Sequence, residues 1–184
     1  MKKKKIITKN SVIKKESASA SSAKKEPSKP VAKSPKRQIL QGYKLTADEN
    51  KLLSYHQSLV LQIELVPSSC WWSNVRSNIT QKQWDNIRKQ IYQKANFVCE
   101  ICGEKGIKHP VECHEVWIYD DISLIQRLGY FQALCPLCHE VKHIGSAAIR
   151  GYGRRAFERF KTINQLDDNL AIQVKNVVSK QWKI

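Results

Sequence analysis

The chain has 184 residues, of which 41% are hydrophobic, and a formal net charge of +16. It is long enough for one domain with a proper core, and its charge makes a polyanion, nucleic acid first, the natural partner. No run approaches the ~18 apolar residues of a membrane span, so no membrane role is expected.

The basic charge is unevenly placed. Residues 1–37 hold thirteen Lys and Arg against Glu16 and Glu26, a balance of +11, and the rest of the chain carries +5. The opening Lys2, Lys3, Lys4 and Lys5 resemble the basic start of a signal peptide. The IITKN that follows is too short and too polar to continue as one. This stretch has no aromatic residue, many Lys, Ser and Ala, and Pro27, Pro30 and Pro35. It cannot bury enough apolar surface to offset its ordering entropy. The expectation is a disordered Lys-rich tail over 1–38 and a folded domain over 39–184. The four opening lysines are candidate nucleic-acid contacts; a solvated, solubilising tail is the plainer reading.

Thr46 followed by Glu49 is a capping-box pattern, which predicts a short helix from Ala47 to about His56. His56 has no partner pattern around it and reads as an exposed helix residue. In LVLQIELV, Leu61, Ile63 and Leu65 alternate with Gln62 and Glu64, which predicts a half-buried strand ended by Pro67. Trp71 and Trp72 could stack on bases, although adjacent tryptophans more often anchor the edge of a core. Thr80 and Gln83 form a second capping pair. Trp84, Ile87, Ile91 and Ala95 recur at helical spacing, so a helix is predicted over about Gln81 to Lys94. Its other face carries Lys82, Arg88, Lys89 and Lys94. Arg88 and Lys89 are candidate phosphate contacts, against the plain reading of a solvated face.

Cys99 and Cys102, then Cys135 and Cys138, form two CxxC knuckles. Each knuckle sets two thiolates on one tight turn, and zinc takes four sulfurs at about 2.3 Å. Paired knuckles with histidines nearby favour a structural Zn2+ over thioredoxin-like redox chemistry. Cys70 and Cys113 are left over as buried free thiols. Reduced cysteines place the chain in a reducing intracellular compartment, the cytoplasm. Gly103 and Gly106 mark a turn, and His109, before Pro110, reads as a surface residue. VECHEVW has the look of a short strand. The segment from Ile122 to Leu134 has no single reading; one is that SLIQRL makes a helical turn, broken by Gly129. A helix should begin at Pro136, which suits a first turn, and end near Gly145. His139 and His143, four apart, then share one helical face. Two more helices are expected over about Gly153–Ile163 and Leu166–Trp182.

CEICG, VECHEV and ALCPLCHEVKH, in that order, resemble the HNH endonuclease family, the ββα-metal nucleases. The resemblance spans Cys99 to Gly145, and SCWWSNVR with the helix after it resembles what precedes the knuckles in some bacterial members. It implies an α+β fold: a small zinc-stapled ββα-metal module, core 97–146, with flanking helices. It also implies a hydrolase cutting phosphodiester bonds, DNA the expected substrate, with one catalytic divalent metal between strand and helix. The metal would stabilise charge on the leaving oxygen while a base beside it activates water. On this resemblance His114 takes the metal-ligand place, His139 the helix-ligand place, and His143 the third ligand of the colicin-like branch. Glu115 stands where the family has its general-base histidine, and a carboxylate is a weaker base at neutral pH. A one-residue shift would make His114 the base and leave Glu112, Glu115, Asp120 or Asp121 as oxygen ligands. Tyr130 or Gln132 occupies the neighbourhood of the family's bracing asparagine. Three imidazoles would favour Zn2+, Ni2+ or Mn2+, and carboxylates would suit Mg2+. The rival reading is a non-catalytic zinc-containing module that binds nucleic acid; a third is a structural zinc scaffold for protein partners.

Overall fold

The computed structural model describes residues 44–66, 74–120 and 125–181, all within one compact unit, residues 34–184. The expectations for Lys2 to Lys5, the 1–38 tail, Pro67, Cys70, Trp71, Trp72 and Asp121 lie outside the described residues. Among the described residues, seven helices and two strands follow in the order α1 (Ala47–Ser58), α2 (Val75–Asn78), α3 (Gln81–Lys94), β1 (Glu112–Asp120), β2 (Ile125–Leu134), α4 (Pro136–Lys142), α5 (Ile144–Ile149), α6 (Gly153–Asn164) and α7 (Asp168–Lys180). The protein is therefore mixed α+β, with a small antiparallel sheet.

Local chemistry sets the helix starts. Thr46 and Glu49 satisfy each other's backbone N–H at the head of α1, and Thr80 and Gln83 do the same for α3. Each box meets two of the donors that a helix start otherwise leaves without partners. Asp167 caps α7, one residue beyond the predicted start. Pro136 opens α4 as predicted. That helix does not run on to Gly145. It breaks at His143, whose φ of −109° and ψ of 43° leave the helical region, and Gly145 sits inside α5.

Two predictions for extended segments need correction. SLIQRL is not a helical turn: from Ile125 on, the chain forms β2, paired with β1 from Glu112↔Leu134 to Asp120↔Ile125. The pairing slips at Val116/Trp117, where the ladder carries an irregularity. Gly129 lies beside the slip, and a Cβ there would stand 3.0 Å from the Val116 carbonyl oxygen. The glycine thus permits a close strand approach rather than breaking a helix. The second correction concerns Leu61–Leu65. The alternation is real, with Leu61 and Ile63 buried, but no strand forms. Side chains of Asn164 and His56, with the Lys142 carbonyl, meet its backbone in place of a ladder. Asn164 Oδ1 accepts from Leu61 N–H at 3.0 Å, and Asn164 Nδ2 donates to Leu61 O at 2.8 Å. His56 Nε2 accepts from Ile63 N–H at 2.9 Å, and Glu64 N–H donates to Lys142 O at 2.9 Å. His56 is accordingly buried, not exposed, because its ring is the partner of a buried amide.

The core joins these pieces. Leu61, Leu134, Val141, Phe160, Val174 and Val178 are buried together, with Cys99, Cys135 and Cys138 in the same cluster. α1 packs on α7, and α4 and α5 pack on α6. On the other side of the sheet, Trp84 of α3 meets Phe131 of β2 edge-on, with ring centroids 6.1 Å apart. No described helix is long and apolar enough to cross a membrane.

Candidate metal centres

The two knuckles are brought together by Glu100. Its N–H donates to Ala133 O at 2.9 Å, and its carboxylate accepts from Ala133 N–H at 2.5 Å. Both bonds grip the end of β2, two residues before Cys135. The first knuckle closes on itself through Cys99 N–H to Glu104 O and Gly103 N–H to Cys99 O, each at 2.9 Å. Gly103 turns there with a φ of +74°, which suits a residue without a Cβ. The sulfurs of Cys99, Cys102, Cys135 and Cys138 all lie within 4.8 Å of one another, and Cys102 and Cys135 are 3.7 Å apart. Four sulfurs about 2.3 Å from a tetrahedral ion stand ~3.8 Å apart, so this cluster could hold a structural metal such as zinc. Hydrogen bonds with Cys135 and Cys138 pull the Cys99 thiol strongly down, while burial pushes Cys102 up to about 11. Thiols gathered this closely resist ionising together, and a dication relieves that resistance. Arg159 lies against Cys138 and pairs with Glu104 at 2.5 Å, placing a cation beside the sulfurs.

The second cluster is built from β1 and α4. His114, His139 and His143 each offer a ring nitrogen within 4.8 Å of the other two. Their ring centroids form a near-equilateral triangle of 5.1, 4.9 and 5.0 Å, every pair edge-to-face. His114 points inward from β1, with only 1% of its side chain exposed. His139 comes from α4, which faces that strand, and His143 from the break between α4 and α5.

Carboxylates hold the outer sides of two rings. Glu64 Oε2 meets His114 Nε2 at 2.8 Å, and Glu112 Oε2 meets His139 Nδ1 at 2.5 Å. Burial pushes the Glu64 carboxyl up, but His114 and Lys142 outweigh it and hold it at about 2. The hydrogen bond with His139, aided by His109, holds Glu112 at about 2 as well. Ionised carboxylates accept, so the protons sit on His114 Nε2 and His139 Nδ1. His114 Nδ1 is then a buried lone pair with no hydrogen-bond partner. Burial, then the neighbouring imidazoles, lower His143 to about 3, and burial lowers His114. Neutral imidazole is the form that binds metals.

The other candidates divide. His109 is half exposed and meets Glu112 Oε1 at 2.6 Å. Glu112 therefore spends both oxygens on histidines instead of joining the triangle as an oxygen ligand. Asp120 stands six residues beyond His114 on an extended strand, ~20 Å away. Glu115 lies on the opposite face of β1 from His114, where its Oε2 accepts from Val75 N–H and Trp117 Nε1–H, both at 3.0 Å. Gln132 pairs directly across from His114, and its Oε1 is buried without a partner. Tyr130, opposite Val116, is half exposed. Cys113 is a partly buried free thiol that burial pushes up to about 12. Arg88 pairs with Asp85 at 2.7 Å, and Lys89 is exposed.

A cleft of about 280 Å³ opens beside β1. His114, His139, His143, Glu115, Trp117 and the exposed Arg76 are among its lining residues. Glu64, Lys142 and Arg76 were not singled out in the sequence. Glu64 reads there as the polar side of a strand and Lys142 as a charge on a helix, since their partners are far away along the chain. Comparison with protein-family models, curated proteins and solved structures finds no match to this chain.

Proposed function

We propose that this chain is a metal-dependent endonuclease of the HNH type, hydrolysing phosphodiester bonds with DNA as substrate, and that its four cysteines hold a structural zinc. The observation carrying the reading is the histidine triangle, in which three ring nitrogens lie within 4.8 Å of one another and His114 keeps a buried nitrogen without a hydrogen-bond partner. A divalent ion held there would act as a Lewis acid on a phosphate oxygen. Three imidazole donors with both nearby carboxylates turned outward suit Zn2+, Ni2+ or Mn2+ better than Mg2+. Around that centre, Arg76 at the cleft offers a guanidinium for a neighbouring phosphate. The excess of Lys and Arg, concentrated in 1–37, favours a polyanion throughout the approach. Free cysteines among the described residues accord with a reducing intracellular location.

The base of this reading is Glu115, by the resemblance; it lines the same cleft as the histidines, though from the opposite face of β1 to His114. Its bonds to Val75 and Trp117 favour the second reading, a zinc-containing module that binds nucleic acid without cutting it, because they give this carboxylate a structural task. Nicking of supercoiled plasmid, run beside a binding assay, separates the two. The nuclease reading expects metal-dependent nicking that His139→Ala abolishes while binding persists. It also expects Glu115→Gln to slow nicking by ~100-fold or more if the carboxylate is the base. Binding with no nicking under any of Zn2+, Ni2+, Mn2+ or Mg2+ leaves the second reading standing.

A further inference from the structure

Lys142 and Glu64 form a chain of contacts that ends on the histidine triangle. Lys142 is 5% exposed, and its Nζ donates to Glu64 Oε1 at 2.6 Å. The other oxygen of the same carboxylate, Oε2, accepts from His114 Nε2 at 2.8 Å. Glu64 N–H is also fixed, to the Lys142 carbonyl at 2.9 Å. Backbone and side chain of Glu64 are thus both tied to one residue of α4. Because Glu64 comes from the segment after α1, the carboxylate behind His114 originates outside the stretch 97–146 that holds the ligands.

We propose that Glu64 is a positioning residue for the histidine metal site, fixing His114 with its proton on Nε2 and its Nδ1 lone pair toward the ion, and that Lys142 moderates this effect. The inference rests on the reading that the triangle holds a metal. Metal-binding histidines depend on the partner of their second nitrogen, which sets the tautomer, the ring angle and the donor strength. The two residues should therefore act with opposite sign. Glu64 draws on the Nε2 proton and makes the imidazole a stronger donor. Lys142 draws on the same carboxylate from the other side and weakens that pull. A mere brace between the segment and α4 predicts something else: removing either partner breaks the same 2.6 Å pair and loosens the site alike.

The test titrates Ni2+ into the full chain already carrying one equivalent of zinc, with a chelating dye as competitor, and follows folding by circular dichroism. Glu64→Gln keeps an oxygen that can accept but loses the charge, and should weaken Ni2+ binding by ~10–100-fold with the fold retained. Lys142→Met should bind Ni2+ at least as tightly as the parent. Equal losses in the two variants, or no loss in Glu64→Gln, would overturn the proposal while leaving the metal site in place. A parent that takes up no Ni2+ beyond its zinc would bring down the site and this inference together. Nitrogen NMR of the zinc-loaded parent needs no variant and stands even if Glu64→Gln fails to fold. The His114 proton is expected on Nε2, and finding it on Nδ1 would overturn the assignment.

Discussion

His56 shows how a single residue ties the fold to pH. Its Nε2 accepts from the buried Ile63 N–H, so the ring must stay neutral at that atom. Burial, with Lys142 nearby, lowers its pKa to about 4. In the unfolded chain the same ring takes up a proton near 6.5. Between these values the unfolded state binds more protons, so stability rises with pH there. The contribution is complete above about 6.5 and disappears as pH falls toward 4. His56→Leu keeps an apolar filler but leaves the Ile63 amide without an acceptor, at a cost of ~1–3 kcal/mol at neutral pH. Melting temperatures measured from pH 7 to pH 4 should fall less steeply in the variant than in the parent. Parallel curves would remove the ring from the pH response. Glu112 offers a second test at this scale. Glu112→Gln withdraws the charge behind His139, and Ni2+ affinity at the triangle should drop ~10–100-fold while the zinc content stays at one.

Pro136 begins α4 immediately after Cys135, so the helix that carries His139 and ends at His143 grows out of the second knuckle. Gly106 guards that junction. A Cβ on Gly106 would stand 2.3 Å from the His109 carbonyl oxygen and 2.5 Å from Pro136 Cδ, too close for either backbone or ring to accept. Gly106→Ala should therefore push the knuckle loop away from the start of α4. The expected result is a loss of several °C in melting temperature together with weakened zinc retention; an unchanged variant would show that the loop gives way freely. Elements of this kind were legible where the signal is local. The capping boxes at Thr46 and Thr80 and the proline at the head of α4 act within a few residues, and each came out as predicted; the CxxC knuckles likewise come together as one cluster of four sulfurs. β2 was not legible, because Ile125–Leu134 has no clean alternation and its extended state is fixed by β1 across the ladder. Leu61–Leu65 erred in the opposite direction. Its alternation reflects real burial, but Asn164 and His56, not a neighbouring strand, satisfy its backbone.

At the scale of the molecule, two candidate metal clusters among the described residues share α4, one at each end. Cys138 and His139 are adjacent, yet they belong to different sets. The candidate ligands themselves were legible, since cysteines and histidines at ligand spacing are conspicuous along a chain. Their supports were not: Glu64 reaches His114 across fifty positions and Lys142 across seventy-eight, distances over which no periodicity speaks. The shared helix makes the cysteine site the foundation. Cys138→Ser should unfold the module, because structural zinc contributes on the order of 10 kcal/mol to folding. A folded, zinc-free variant on circular dichroism and elemental analysis would contradict that. Deleting residues 1–37 removes +11 of charge, so DNA binding should weaken and depend less steeply on salt. An unchanged salt slope would exclude the tail from the contact. The central claim is that His114, His139 and His143 hold an ion of their own, separate from the cysteines. Anomalous diffraction from crystals of the zinc-loaded chain soaked in Ni2+, recorded at the nickel and zinc absorption edges, tests it most directly. The account predicts a zinc peak among the four sulfurs and a nickel peak within bonding distance of the three ring nitrogens, lost in His114→Ala. Density at the sulfurs alone, with the histidine triangle bare at saturating Ni2+, would contradict it.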